Sequence, residues 1–282
     1  MNSSSRRRFI QTAVAAPAFA GLLTGRLALA ADGTEGKIKF RLGVASYTFR
    51  DFDRAKTIQM TRRAGFNAVC FKDMHLPMDS TDAQCVTAAE ECKKTGLDLY
   101  ACGVVNMRNP ADVTNAFRYA KAAGMVTIVA TPQPALLSMV EEKVKETGIY
   151  IAIHNHGPGD NTYPTPESIM EKVESFDKRI GICIDVGHTA RIGADVIKSL
   201  RDYKERIHDV HLKDETAATP QGQTCICGRG VLDIPGYLQT LIDIGYDRVV
   251  SFEYEADASD PLPGLMESAG YVRGVLRMIG KK

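Results

Sequence analysis

Short apolar runs alternate eight times with stretches of helical periodicity along this chain of 282 residues. A strand that is apolar along its whole length is buried on both faces, which is typical of a parallel sheet covered by helices. Eight consecutive strand–helix units therefore predict an α/β protein of the (β/α)8 or TIM-barrel class, forming a single domain over residues 38–282. The predicted strands are Phe40–Ser46, Asn67–Phe71, Asp98–Val104, Val126–Ala130, Tyr150–His154, Ile180–Asp185, Ile207–Leu212 and Val249–Glu253.

The stretches between these runs carry the local signals of helix ends. Thr165 before Pro166 is typical of a helix start, and Gly65 and Gly148 stand where helices end and strands follow. An open doubly wound sheet is the alternative architecture, but no Gly-x-Gly-x-x-Gly motif follows the first predicted strand. The predicted helices are Arg54–Ala64, Asp82–Thr95, Pro110–Ala123, Pro134–Thr147, Pro166–Phe176, Ala194–Tyr203, Ile234–Ile244 and Gly264–Met278.

The first 31 residues have the features of an export signal. The heptapeptide from Ser5 to Gln11, SRRRFIQ, resembles the twin-arginine signal, and an apolar stretch, Ala13–Leu23, follows it. Ala28-Leu29-Ala30 provides a small-x-small cleavage site, so residues 1–31 are predicted as a signal peptide and 32–37 as a linker. We therefore expect contact with the twin-arginine export machinery, a periplasmic or exported location and no stable membrane span after processing; a short N-terminal anchor is the alternative.

The charge distribution argues against nucleic acid as a partner. The formal net charge is +1, and the first 31 residues hold four arginines and no acid, so the remainder carries about −3. A mildly acidic body lacks the basic surface of a nucleic-acid-binding protein. The seven cysteines are scattered and odd in number, which is not the pattern of a disulfide framework.

Metal-capable side chains are concentrated where the predicted strands end. Five of the six histidines lie there, although polar groups are out of place in buried parallel strands. Catalytic groups of (β/α)8 barrels lie at these carboxyl ends. Taking one inward-facing residue from each of the last four strands predicts a divalent-metal site, for Mn, Co, Zn or Mg, formed by His154, Asp185, His211 and Glu253. Glu255 is the alternative to Glu253 as a ligand.

Other polar residues at the same edge are candidates for contact with a substrate. For Lys213 we predict a direct role in substrate binding or proton transfer, with an ion pair to Asp214 as the alternative. Lys72 has the same two interpretations, with Asp73 as its partner. Arg229 lies in a glycine-rich loop, where it could equally serve a turn. The predicted substrate-binding residues are Lys72, His75, His188, Arg229 and Glu255, and His156 is a further candidate at this edge.

These motifs resemble the xylose isomerase-like TIM barrel superfamily over roughly residues 38–280. The segments that carry the resemblance are IAIHNHG at 151–157, IDVGH at 184–188, IHDVHLKD at 207–214, GRGVLDIPGYL at 228–238 and IGYDRVVSFEYE at 244–255. The combination is most similar to the inosose dehydratase and sugar phosphate isomerase/epimerase branch. Ketose 3-epimerases of this fold bind their metal with Glu, Asp, His and Glu, so a histidine at position 154 departs from the pattern.

The resemblance implies a metal-dependent sugar isomerase or epimerase that removes a proton next to a carbonyl through a metal-stabilised enediolate. It implies Glu253, Lys213 and His156 as catalytic residues, a sugar or keto-sugar as substrate, and a possible homo-oligomer. The alternative is a dehydratase or lyase acting by β-elimination on a keto-sugar, an inosose or a 3-keto-glycoside. Two further classes are an endonuclease-type hydrolase of the same superfamily, which the acidic body disfavours, and a sugar-binding barrel without catalytic activity.

Overall fold

The parallel strands of this protein close into an eight-stranded barrel. The computed structural model describes residues 38–280; the predicted signal peptide and linker lie outside the described residues. The barrel strands are β1 Arg41–Ala45, β2 Ala68–Phe71, β3 Asp98–Met107, β4 Thr127–Pro132, β5 Tyr150–His154, β6 Ile180–Asp185, β7 Ile207–Leu212 and β10 Val249–Phe252. Their order around the barrel is β1-β10-β7-β6-β5-β4-β3-β2. The predicted TIM barrel is confirmed.

Helices cover the outside of the barrel between successive strands. None of the helices in the described part of the chain is long and apolar enough to cross a membrane. A short antiparallel pair, β8 Asp214–Glu215 and β9 Thr224–Cys225, follows β7. The helices are α1 Arg54–Arg63, α2 Asp82–Lys94, α3 Pro110–Ala122, α4 Leu137–Thr147, α5 Pro166–Val173, α6 Val186–Arg191, α7 Val196–Asp202, α8 Ile234–Asp243 and α9 Leu262–Ile279.

Local chemistry explains where several elements begin and end. The Thr165 hydroxyl accepts a hydrogen bond from the Ser168 main-chain N–H, 3.1 Å away, which confirms the predicted start of α5. Gly65 and Gly148 have positive φ angles after α1 and α4, as expected for helix ends. Helix α6 was not predicted: it starts directly after β6 because the Asp185 carboxylate caps it, accepting from His188 N–H at 2.8 Å.

The core has two parts, as the alternation of side chains along each strand requires. Outward residues of the strands pack against the helices in one large apolar cluster. The inward residues form a small cluster inside the barrel, comprising Ala68, Cys70, Tyr100, Ala101, Val129, Ala152, Cys183 and Val249, with Val104 packed against it. This inner cluster closes the barrel below, so inward side chains beyond it face the open mouth.

Arg206 ties the opposite, amino-terminal end of the barrel together. It precedes β7 and is 8% exposed. Its guanidinium donates hydrogen bonds, at 2.6 to 3.4 Å, to main-chain carbonyl oxygens at the end of α5 and in the turn that leads into β6. The acceptors belong to Val173, Glu174, Phe176, Asp177 and Ile180. One buried cation thus satisfies carbonyls that the end of a helix leaves unpaired.

Candidate metal centre

Four adjacent strands bring the predicted metal ligands to one point at the carboxyl end of the barrel. His154 and Asp185 are the last residues of β5 and β6, and His211 lies on β7, in register with Asp185. Glu253 follows β10, and its N–H donates to the carbonyl of Leu212 at 3.1 Å. All four side chains are buried. The strand pattern therefore places every member of the predicted set on the same wall of the barrel.

The ligand atoms are spaced as the ligands of a single ion would be. His154 Nε2 lies 3.1 Å from His211 Nδ1 and 3.5 Å from Asp185 Oδ2. His211 Nδ1 lies 3.2 Å from Glu253 Oε2, and one atom from each of the four residues lies within 4.8 Å of the others. Metal–ligand bonds of about 2.1 Å give ligand–ligand distances of about 3.0 Å in an octahedron and about 3.4 Å in a tetrahedron.

The polar balance of this cluster also fits a cation. Asp185 Oδ2 is buried and, in the described part of the chain, makes no aligned hydrogen bond, its close cationic neighbour being Lys213 Nζ at 3.0 Å. Burial lowers the pKa of His154 well below its ordinary value, so the ring is neutral and its nitrogen can donate a lone pair. Three carboxylates at the site, from Asp185, Glu253 and Glu255, outnumber the two ammonium groups, from Lys213 and Lys72. A divalent ion would add a cationic partner for this oxygen and offset the excess of carboxylate groups.

A second carboxylate lies beneath His211 inside the barrel. Asp209 is fully buried, and its Oδ2 lies 3.9 Å from His211 Nε2, which has no hydrogen-bond partner among the described residues. The Tyr100 hydroxyl is 2.9 Å from the same Asp209 oxygen and 2.6 Å from Ser251 Oγ. Burial raises the pKa of Asp209 to about 6. This network holds a negative charge on the side of the His211 ring that faces away from the other ligands.

Lys213 is enclosed by carboxylates, which corrects the alternative that paired it with Asp214. Its Nζ lies 3.0 Å from Asp185 Oδ2 and 2.9 Å from Glu253 Oε2, and it also contacts Glu255. Burial alone would lower the pKa of Lys213, but these carboxylates outweigh burial and raise it well above its ordinary value. With no metal ion bound, Lys213 is therefore a buried ammonium group beside the ligands.

Lys72 and two histidines complete the surroundings of the cluster. Lys72 Nζ lies 3.7 Å from Glu253 Oε1 and 5.0 Å from the centre of the Tyr47 ring. The rings of His156 and His188 are centred 4.4 and 5.9 Å from that of His154. Burial is the main cause that lowers the pKa of both histidines. Both imidazoles are thus neutral at pH 7 and able to accept a proton.

With this geometry in hand, the chain can be compared with known proteins. The model of the family described as xylose isomerase-like TIM barrel matches residues 135–275. The chain belongs to the xylose isomerase-like TIM barrel family. The matched segment runs from α4 into α9 and contains all four predicted metal ligands.

The relatives include sugar-processing enzymes. The inosose dehydratase of Geobacillus thermodenitrificans is 28% identical over 155 residues, which cover 49% of this chain and 51% of that protein. The chain thus spans about half the length of the curated relatives it matches. Among solved structures, the IOLI protein with a binding zinc atom aligns with a TM-score of 0.70 at 18% identity, covering 84% of this chain and 98% of that one. L-ribulose 3-epimerase aligns with a TM-score of 0.68 at 17% identity, covering 86% and 96%. Both structural likenesses show the fold.

Two predicted substrate-binding residues of this family member are engaged elsewhere. His75 is buried; its Nδ1 lies 2.8 Å from Ser46 Oγ, and its Nε2 faces the carbonyl oxygens of Phe49 and Phe52 at 3.2 and 3.1 Å. Both ring nitrogens are used within the protein, which leaves His75 no free atom for a ligand. Arg229 forms a two-pronged ion pair with exposed Glu267 on α9, at 2.6 and 2.9 Å. The remaining candidates surround the metal ligands.

Sequence reasoning missed several groups that shape the site. Asp209 shares the inward face of its strand with His211, so alternation along β7 could have identified it, but no role was assigned to it. The Asp214 carboxylate accepts three main-chain N–H groups of the loop 228–232, from Gly228, Gly230 and Leu232, which shape that loop. Glu215 is fully buried beside Gly187, and burial raises its pKa to about 7. No local motif marks Glu215, because its burial depends on the packing of β8 against α6.

Proposed function

We propose that this protein is a divalent-metal-dependent enzyme that removes a proton next to the carbonyl group of a sugar, with isomerisation or epimerisation as the outcome. The observation that carries the proposal is the convergence of four buried ligand atoms, from four adjacent strands, at 3.1 to 3.5 Å between neighbours. Membership of the xylose isomerase-like family and likeness to a ribulose epimerase support the assignment to sugar chemistry.

The surrounding residues divide the chemical work. A bound divalent ion would act as a Lewis acid that polarises the carbonyl group and its neighbouring hydroxyl. Lys213, held as an ammonium between carboxylates, supplies a fixed positive charge for oxygen atoms that become negative during the reaction. His156 and His188 are neutral, accessible from the mouth, and suited to receive the carbon-bound proton.

Glu253 is better suited to hold the metal than to remove a proton. Burial alone would raise its pKa, but Lys213 and His211 outweigh burial and hold the pKa well below its ordinary value. A carboxylate so strongly stabilised in its charged form is a weak base. We therefore assign the base to His156, with Glu253 as a ligand.

A β-elimination that makes the protein a dehydratase or lyase is the second candidate. The observation that favours it is that the neutral imidazoles of His156 and His188 lie together around β5 and β6, where an imidazole can take the carbon-bound proton and return it to the leaving oxygen. One base and one proton donor suffice for elimination, whereas epimerisation needs groups that exchange protons on both faces of one carbon. The sequence likeness to inosose dehydratases points in the same direction.

Proton NMR in D2O tests both candidates. The full chain is loaded with Zn or Mg, which do not broaden the spectra, and is offered free ketoses, inososes and 3-keto-glycosides beside an EDTA-treated control. Metal-dependent deuterium uptake without loss of a group supports isomerisation or epimerisation. Metal-dependent loss of water or of an aglycone supports the second candidate. The proposal fails if EDTA leaves the turnover unchanged, or if the metal-loaded protein and a His211→Ala variant are equally inactive on every substrate.

We also propose that the protein is exported, on the basis of the SRRRFIQ motif and the apolar stretch that follows it. Replacing Arg6 and Arg7 by lysine should retain the protein in the cytoplasmic fraction of a bacterial host. An unchanged distribution between periplasm and cytoplasm would contradict this assignment. The wild-type chain and a variant with Arg26→Lys serve as controls.

A further inference from the structure

Polar residues also follow the inward-facing positions of β3 and β4, on the side of the barrel mouth away from most of the metal ligands. Val104, Val129 and Ala152 face the barrel interior on β3, β4 and β5, and Asn106 is in register with Thr131. Because side chains alternate along a strand, the next inward positions are level with His154 and the ones after them are level with His156. These two upper rows consist of Asn106 with Arg108, Thr131 with Gln133, and His154 with His156.

Five of these six residues, all but His154, line a small cavity next to the metal centre. The cavity has a volume of about 180 Å³ and is bordered by side chains from β3, β4 and the loop after β5. His156 belongs to both places, since it lines the cavity and its ring is centred 4.4 Å from the ring of His154. A molecule bound at the metal centre could therefore extend into this cavity. Its polar lining includes Asn106, Arg108, Thr131, Gln133, His156 and Asp160.

The hydrogen bonds of the lining leave donor groups facing the cavity. The Thr131 hydroxyl donates to Asn106 Oδ1 at 2.8 Å, so the NH2 group of Asn106 is the part that lacks a protein partner among residues 38–280. The main-chain N–H of Arg108 donates to Asp112 Oδ2 at 2.8 Å, but within the described chain its guanidinium makes neither a hydrogen bond nor an ion pair. The main-chain N–H of Gln133 donates to the Met107 carbonyl at 2.9 Å, but its side-chain amide makes no hydrogen bond within the same residues.

The acidic residue of the cavity does not offset these donors. Asp160 Oδ1 accepts the main-chain N–H groups of Thr162 and Tyr163, at 2.7 and 3.0 Å. Asp160 Oδ2 lies 3.4 Å from His156 Nδ1. Asp160 is therefore held by main-chain donors of its own loop through Oδ1, and within residues 38–280 it forms no ion pair with Arg108. What the cavity offers a ligand is a planar guanidinium flanked by two amide groups, and a guanidinium binds carboxylates and phosphates through paired hydrogen bonds.

We propose that Arg108, with Asn106 and Gln133, forms a subsite for an anionic group, a carboxylate or a phosphate, carried by the substrate. This rests on the proposed function, because the anion is taken to belong to the sugar bound at the metal centre. Strands β3 and β6 are three strand spacings apart, about 14 Å. The anionic group would therefore lie on the β3 side of the bound sugar, across His156 from the metal ligands, and Arg108 would select acidic sugars over neutral ones.

Isothermal titration calorimetry on the full, zinc-loaded chain tests the subsite. The probes are D-glucuronate, D-glucose 6-phosphate and D-glucose, which differ in the anionic group. At least one anion should bind about 10- to 100-fold more tightly than D-glucose, the range for hydrogen bonds to a charged group. The better of the two anions identifies the source as a carboxylate or a phosphate. Arg108→Gln should abolish the preference, and Arg108→Lys should keep part of it.

The matched control is Arg63→Gln, which removes an exposed arginine from the outer helix α1 and should leave all three affinities unchanged. Equal binding of the acidic and neutral probes by the wild-type chain, or a preference that survives Arg108→Gln, would overturn the proposal. So would an absence of binding by both anions. Zinc affinity is measured for each variant and should not change. An anion preference that depends on Arg108 in a protein without metal-dependent proton exchange would refute the proposed function and leave the subsite in place.

Discussion

Replacing Asp209 by asparagine should weaken metal binding while leaving the barrel folded. The Asp209 carboxylate lies 3.9 Å from His211 Nε2, whereas the other ring nitrogen, Nδ1, points at the other ligands. A ligating histidine becomes more basic when a carboxylate faces its second nitrogen, and that contact also fixes which nitrogen carries the proton. Asparagine has nearly the same shape and can still accept from the Tyr100 hydroxyl, but it carries no charge.

The distance sets the size of the expected effect. Two unit charges 3.9 Å apart attract each other by about 4 kcal/mol at an effective dielectric constant of 20. A bound divalent ion transfers only part of a unit charge to the imidazole, so a third to two-thirds of that energy, roughly 1.4–2.8 kcal/mol, remains. This corresponds to a dissociation constant that rises about 10- to 100-fold. The same range is typical of other outer partners of metal-ligating histidines.

The assay is competition for Zn between the protein and a chelating dye at neutral pH. Ser251→Ala is the matched control, because it removes one hydrogen-bond partner of Tyr100 but keeps the Asp209 charge, and it should change the dissociation constant by at most about threefold. Thermal unfolding of the metal-free variants separates the two effects. Burial raises the pKa of Asp209 to about 6, which means that the ionised carboxylate destabilises the folded state at neutral pH. Asp209→Asn should therefore not lower the unfolding temperature. A zinc affinity within about twofold of wild type, or an equal loss in both variants, would refute the reasoning.

Three further predictions concern other buried charges. Lys213→Met should lower kcat about 100- to 1000-fold through the loss of a fixed positive charge, without weakening zinc binding in the competition assay; an unchanged kcat would contradict this role. Arg206→Lys leaves most of five carbonyl oxygens without a donor and should lower the free energy of unfolding by about 3 kcal/mol. Thermal unfolding should then show a Tm lower by about 6–12 °C. A Tm within experimental error of wild type would contradict this role of Arg206. Glu215 has a folded-state pKa of about 7, above its unfolded value, so between these two values the folded protein binds a proton that the unfolded chain does not. This group therefore lowers the free energy of unfolding by about 3 kcal/mol as pH rises from about 4.5 to 7. Denaturant unfolding of the metal-free protein at pH 8 should therefore find Glu215→Gln more stable than wild type, and equal stability at every pH would contradict the assignment.

The metal ligands could be predicted because two simple regularities determine where they lie. Parallel strands end at the same edge, and inward residues recur at every second position, so His154, Asp185 and His211 had to meet once their strands were recognised. The bounds of β5, β6 and β7 were predicted residue for residue, since buried apolar runs with polar ends mark both termini. Roles that depend on tertiary contacts were less accessible. His75 stands at a strand end like the others, yet its ring is engaged by three groups that no local pattern reveals.

The donor groups on β3 were missed for a different reason. The predicted strand ended at Val104, whereas β3 continues to Met107. The register of β3 against β4 shifts between Cys102 and Val105, so the simple alternation of inward and outward residues is broken there. Asn106 could be recognised as a polar residue at the end of the third strand, although no role was assigned to it, whereas Arg108, which follows β3, has the sequence features of a loop residue. Because of this register shift, the inward direction of the residues after Val105 could not be predicted from the alternation of side chains.

The family model covers the strands that hold the metal ligands but not the strands next to the proposed anion subsite. The family model matches residues 135–275, which include β5, β6, β7 and β10 with the four metal ligands. It does not include β3 and β4 or the residues that directly follow them, and so leaves out Asn106, Arg108 and Gln133. The matched segment contains groups suited to activating a carbonyl compound, whereas the donor groups that would recognise the anionic group of the substrate lie outside it. On the proposed function, the matched segment would supply the metal-dependent chemistry, and the proposed anion subsite outside it would contribute to the choice of sugar. A change of substrate in this chain should accordingly follow from substitutions at Arg108 and its neighbours, with the metal affinity unaltered.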